Sequence, residues 1–278
     1  MAEPVYLSGE RIQGRSDDTV EVAATYTPSL SSSSGWTLTA GGGTASIASS
    51  ELTLSADSSS DNSYATFDLG ATLSDTAWLL TFTVEYSGWD NTTSGAGITS
   101  GVGVSSSATV TGQYPSGSVI EYLWEGHSSV GTNARAGVSG GSVGNRTNTM
   151  SAYPGVLASP YTDTQYVKLY RLTATTAKME FYLNADYSDT PTTFNVTMGT
   201  TPAALRYFYF RLYYESGVGD SNTIVYSDIK LWNNSSSTTA ARDKSSITNV
   251  PVGTRYEETD TRKIFRRTAS AWVEKGTA

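Results

Sequence analysis

Between Ala77 and Ser87 the chain reads AWLLTFTVEYS, with Leu80, Phe82, Val84 and Tyr86 at every second position. A period of two puts these side chains on one face of an extended strand and leaves the residues between them on the other. A helix repeats every 3.6 residues and cannot gather such a set on one side. The same alternation recurs along the chain, in SELTLSA, SYATFDLG, GVGVSS, GSVIEYLWEG, QYVKLYRLTA, KMEFYLNA, RYFYFRLYYES and TIVYSDIKLWN. Gly, Ser, Asp and Asn cluster between these stretches, as turns require. With GWTLTA near the start, about ten strands result, and no long run of Ala, Leu, Glu and Lys stands at helical spacing. The fold class predicted is all-β, an antiparallel jelly-roll β-sandwich with a small C-terminal β-meander.

The totals suit this reading. In 278 residues the hydrophobic share is 38%, and 18 Tyr, 7 Phe and 6 Trp supply the bulk of a core. The net charge of −8 disfavours a nucleic-acid binder, which needs a basic surface. Without cysteine there are neither disulfides nor thiolate metal sites. No apolar run approaches the roughly 20 residues of a membrane span. MAEPVYLSGE has neither the basic start nor the apolar core of a signal peptide.

Four segments are expected. Residues 1–28 form an N-terminal arm, 29–232 the sandwich, 233–246 a Ser/Thr-rich linker, and 247–278 a C-terminal module. Ser128–Gly155 has few large apolar residues and reads as one long connection. The end of the chain changes character. Ser16–Val167 holds only two basic residues, Arg135 and Arg146, whereas Arg255, Arg262, Lys263, Arg266, Arg267 and Lys275 crowd the tail. TRYEE, RKIFR and AWVEK are three short strands joined by TDT and RTAS. So small a meander has little core of its own. Tyr256, Ile264, Phe265 and Trp272 are therefore expected to dock on another surface, that of a neighbouring subunit.

Asp228-Ile229-Lys230-Leu231-Trp232, after the alternating strand Arg206–Glu215, resembles the close of concanavalin A-like, laminin-G-like jelly rolls. GWTLTAGGGTASIASSELTLSA and SYATFDLG resemble their opening strands. The resemblance implies two packed antiparallel sheets and a sugar-binding or assembly role. The tail resembles a short C-terminal module of phage and archaeal-virus structural proteins. The residues that carry this are Pro251, Gly253–Tyr256, Glu258–Thr261, Lys263–Phe265 and Trp272–Glu274.

Glucanases share the jelly-roll fold, and their catalytic strand resembles Glu-x-Asp-x-Glu. Here Glu121 and Glu125 flank Leu123, so the central carboxylate is missing and no catalytic residue is assigned. Trp89, Tyr122 and Trp124 are candidate platforms for stacking sugar rings. The single histidine, His127, builds neither a metal cluster nor a triad. No cofactor is implied. Asp57, Asp61 and Asn62 in one turn and Asp90 with Asn91 in another are hard oxygen ligands of the Ca²⁺ type, without EF-hand spacing. Asn91, Asn145 and Asn195 match glycosylation acceptors, as chance provides in so Asn-, Ser- and Thr-rich a chain. Two readings stand. One is a non-enzymatic structural protein of a virion or extracellular assembly, contacting copies of itself or other assembly proteins. The other is a carbohydrate-binding adhesin module for a surface glycan.

Overall fold

A computed structural model describes residues 11–14, 19–56, 62–89, 97–111, 114–127, 135–142, 145–152, 161–214, 222–241, 252–258 and 262–277. Strands are numbered in chain order, and among the described residues there is no helix. The chain divides into two units, Ala24–Ser236 and a terminal unit of Met1–Ala23 with Ser237–Ala278.

The first unit is a sandwich of two seven-stranded sheets. The first sheet runs β13 (Asn145–Ala152), β12 (Arg135–Ser142), β11 (Val119–His127), β8 (Gly97–Ser105), β17 (Tyr207–Tyr214), β6 (Asn62–Asp68), β3 (Trp36–Thr39). The second runs β16 (Thr192–Thr197), β15 (Thr176–Tyr182), β14 (Tyr161–Arg171), β7 (Trp78–Trp89), β18 (Asn222–Asn233), β5 (Glu51–Ala56), β4 (Thr44–Ala48). All neighbours in both sheets are antiparallel. β9 (Val110–Thr111) and β10 (Tyr114–Pro115) form a small ribbon.

Period-two alternation decides what lies between the sheets. Leu80, Phe82, Val84 and Tyr86 of β7 meet Ile120, Tyr122 and Trp124 of β11 in one buried cluster. Tyr86 stacks on Trp124 with centroids 5.1 Å apart, and Phe210 packs 5.0 Å from Tyr226. Phenols this deep need partners. The Tyr86 and Tyr122 hydroxyls share a hydrogen bond of 2.6 Å, Tyr122 donates to Gln165 Oε1 at 3.1 Å, and Tyr226 pairs with Ser100 Oγ at 3.0 Å. Between Ser227 and Lys230 the ladder of β18 with β7 shifts register. Asp228 takes a left-handed φ of 51° at this bulge, which keeps Ile229 on the buried side.

Both ends of the chain meet in the terminal unit. β20 (Arg255–Glu258), β21 (Lys263–Arg267) and β22 (Trp272–Thr277) form the meander expected from the sequence, and β1 (Arg11–Gly14) adds to β20 as a parallel fourth strand. A second ribbon pairs β2 (Thr19–Glu21) with β19 (Thr239–Ala241). The arm and the tail therefore share one unit, where separate appendages were expected. The segment 233–246 was read as a linker, yet it holds the last residue of β18 and all of β19. The sandwich boundaries lie at 24 and 236, outside the expected 29 and 232.

The connection Ser128–Gly155 also differs from its reading. It contains the hairpin β12–β13, with β12 paired to β11 from Val119↔Gly141 to Glu125↔Arg135. Its glycines and threonines hid it, because here the neighbouring backbone, and not an apolar stripe, organises the strands.

Candidate functional site

Tyr122 and Trp124 lie on the inner face of β11, 0% and 2% exposed. The expectation that they stack on sugar is corrected: period two sends them into the core together with Tyr86 and Phe82. Trp89 ends β7, its backbone opposite Tyr161, and its indole lies outside the described residues.

The residues between them point the other way. Glu121, Leu123 and Val119 occupy the outer face of the first sheet. Glu121 is fully buried. The Tyr209 hydroxyl donates to its Oε2, Arg211 Nη2 lies 3.7 Å from Oε2, and Arg146 Nη1 lies 3.7 Å from Oε1. Gly101 makes the room. A Cβ there would stand 2.7 Å from Arg211 Nε and 2.9 Å from Glu121 Oε2. Burial, then the neighbouring carboxylate, push the Tyr209 phenol well above its ordinary value. A carboxylate held in this way is an internal counter-ion. Leu123 next along the face is buried too. The sequence pointed to Glu121 but missed its partners, which come from strands 20 or more residues away. The one available signal was Arg211 in the middle of the aromatic strand YFYFRLYY.

The outer face of the second sheet carries a different cluster, in which Tyr166, Lys168, Lys178, Glu180 and Tyr187 are half-buried and Tyr170 and Tyr182 are buried. Tyr166, Lys168 and Tyr170 alternate on β14, opposite Tyr182, Glu180 and Lys178 of β15. Glu180 is the hub. It accepts from the Tyr170 hydroxyl at 2.7 Å, the Tyr182 hydroxyl at 3.0 Å and Lys178 Nζ at 2.7 Å. Tyr187, in the turn after β15, packs edge-on against Tyr182 with centroids 5.0 Å apart. The Lys168 ammonium sits 4.0 Å above the Tyr187 ring and 4.9 Å above that of Tyr182. Burial, with Lys178 adding, holds the Lys168 pKa below its usual value against the pull of Glu180. Aromatic faces, amines and a carboxylate are thus fixed by one another, which is what a polar ligand needs. No single motif marks this cluster in the sequence, because it spans two strands and a turn.

Glu180 also makes the face sensitive to acid. Burial raises its carboxyl pKa, but hydrogen bonds from Lys178, Tyr170 and Tyr182 outweigh burial and leave it below the ordinary value. A depressed carboxyl stabilises the fold above the unfolded-state pKa, and this is lost as pH falls through the folded one. The melting temperature of the parent should therefore exceed that of Glu180→Gln at neutral pH, and the gap should shrink as pH falls below the ordinary carboxylate range. A gap that does not change with pH would contradict the assignment.

In the terminal unit three of the four residues expected to dock, Tyr256, Phe265 and Trp272, share one face, and Ile264 alternates to the other. Tyr256 and Phe265 are buried, 6.4 Å apart, with Trp272 5.8 Å from Tyr256 on the same side. Ile264 is half-buried and pairs with Glu257 and Gly276. Arg267 lies over the Trp272 ring at 6.0 Å.

Among the described residues, no three or more His, Cys, Asp or Glu side chains gather as metal ligands. Asp57, Asp61, Asp90 and Asn91 lie outside the described residues, and Asn62 opens β6. No known family matches the sequence, and neither does any curated protein. Solved structures do match. A legume lectin-like domain from Entamoeba histolytica aligns over 72% of this chain and 90% of its own, at 9% identity and a TM-score of 0.50. The exoplasmic/lumenal domain of VIP36, in its Ca²⁺/Man3GlcNAc-bound form, aligns over 81% and 93% at 10% identity and a TM-score of 0.50. The fold is that of the lectin-like jelly rolls. A carbohydrate-binding module of the evolved Dit of Lactobacillus casei phage J-1 aligns over 78% and 96% at 10% identity and a TM-score of 0.46. A family 7 alginate lyase and a family 18 polysaccharide lyase align at 10% and 8% identity with TM-scores of 0.42 and 0.45. The jelly roll here is residues 24–236, and no helix among the described residues is long and apolar enough to cross a membrane.

Proposed function

We propose that this chain is a non-enzymatic recognition protein of a virion or an extracellular assembly. Its jelly roll binds a surface glycan, and its terminal unit attaches it to copies of itself or to other assembly proteins. The observation that carries this reading is the Tyr166–Lys168–Tyr170–Glu180–Tyr182–Tyr187 face of the second sheet, where the half-buried Tyr166 and Tyr187 rings and the charged groups are locked in place by mutual contacts and by the buried Tyr170 and Tyr182. Sugars are recognised by such pairs of aromatic faces and oriented polar groups. The sugar-bound state of VIP36 fits the same reading. The burial of Glu121 under Tyr209 and Arg211 favours a binding role over hydrolysis, since a general acid must reach its substrate.

A glycan array with the full chain tests the proposal. Specific binding is expected, weakened by about tenfold or more in Tyr187→Ala and unchanged in Glu121→Gln, with no release of reducing ends from the bound glycan. An array on which no glycan is retained would overturn the glycan reading. Turnover abolished by Glu121→Gln would overturn the non-enzymatic one.

A further inference from the structure

The small terminal sheet has two unlike faces. Tyr256 and Phe265 are buried on one. On the other, Arg255 stands directly opposite Arg266, and Arg266 directly opposite Val273; all three are exposed. The parallel register adds Arg11 of β1 beside Arg255, so one cross-strand row has three arginine positions in succession. Apolar surface lies beside them. Val273 is 38% exposed, and Val252 is 70% exposed next to Gly253, whose added Cβ would lie 3.8 Å from Arg266 Nη2.

We infer that this arginine–valine face is an interface, and that its occupant is the acidic body of a second copy of the chain. Residues 247–278 hold six basic and four acidic residues, while the whole chain holds 18 basic and 26 acidic. All of the net negative charge therefore lies upstream of the tail. Opposite charge guides the encounter and sets its register. Covering Val273 and Val252 adds apolar burial. The contact is head-to-tail: the tail of one copy meets the body of the next, so copies join in rings or filaments. This inference names the partner within the attachment role proposed above and rests on that role, but not on glycan binding.

The test is sedimentation of the full chain over a range of concentrations, at about 0.05 M and about 0.5 M salt. Association is expected at the lower salt and dissociation at the higher. Arg266→Glu should weaken association about tenfold or more, while Arg266→Lys restores most of it. Amide protection of Tyr256 and Phe265 in Arg266→Glu checks that the sheet still folds. If the sheet is lost in that variant, Val252→Glu gives the same reading from outside the strands. A monomer at every concentration, or association unaltered by Arg266→Glu in a folded sheet, would overturn the inference. Association without glycan retention would sink the glycan reading and leave this one standing. Glycan retention by a monomer would do the reverse.

Discussion

Glu121→Ala is expected to destabilise the jelly roll by about 3–5 kcal/mol, because it removes the carboxylate and leaves a buried guanidinium behind. Arg211 is as deeply buried as Glu121 and sits at the centre of β17 between β8 and β6, where its strand cannot turn it out to water. Tyr209 loses the acceptor for its hydroxyl at the same time. For a unit of this size the melting temperature should fall on the order of 10 °C. Glu121→Gln should fall less, since its amide oxygen still accepts from Tyr209 and only the charge is gone. Thermal melts of the three proteins decide the matter. A Glu121→Ala protein that melts within about 2 °C of the parent would mean that the cluster contributes almost nothing. Replacing Gly101 by valine attacks the same cluster from the neighbouring strand, because the new side chain would occupy the space between Arg211 and Glu121.

The second large effect concerns the arm. Removing residues 1–14 deletes β1 and turns β20 from an inner strand into an edge. The remaining meander keeps the Tyr256–Phe265–Trp272 contact but loses one side of its hydrogen-bond ladder. Sheets this small are marginal, and a missing strand is felt throughout. Hydrogen exchange should show amide protection in β20 and β21 falling by about tenfold or more. The jelly-roll amides of β7 and β11 should be unaffected, since they belong to the other unit. Equal protection with and without the arm would show that β1 is dispensable.

Where an apolar stripe exists, the strands are legible in the sequence. β7, β5, β15 and β18 each carry buried residues at alternate positions, and each was readable on that ground. The strands that escaped notice have other reasons to form. β4 is tied to β5 by a two-residue turn, Ser49–Ser50, with φ of 54° and 67°. Both residues are left-handed, as in the turns that Asn-Gly forms most readily, and Ser-Ser gives no such signal. β12 has glycine at 137, 140 and 141 and draws its order from the edge of β11, and β13 draws its order from β12 in turn. β1 could not be read at all, because its partner strand is more than 200 residues away. The candidate site divides in the same way. Glu121 and the tail aromatics stood out by type and spacing. The Tyr–Lys–Glu face exists only once β14 and β15 pair, and pairing register is not visible in either strand alone. Tyr122 and Trp124 looked like platforms because aromatics serve cores and ligands equally, and only the pleat tells the two apart.

The parallel pairing of β1 with β20 also imposes an order of events on a chain being synthesised. About 240 residues separate the two strands, so at roughly 5–20 residues per second β1 waits on the order of 10–50 s for its partner. The jelly roll draws every strand from the interval between them and can close during that wait. The arginine–valine face appears only after β20, β21 and β22 have followed. A ribosome-bound chain can therefore have a folded body before it has the surface proposed for joining other copies. If copies join through that face, the timing of translation itself would keep nascent chains crowded on one message apart.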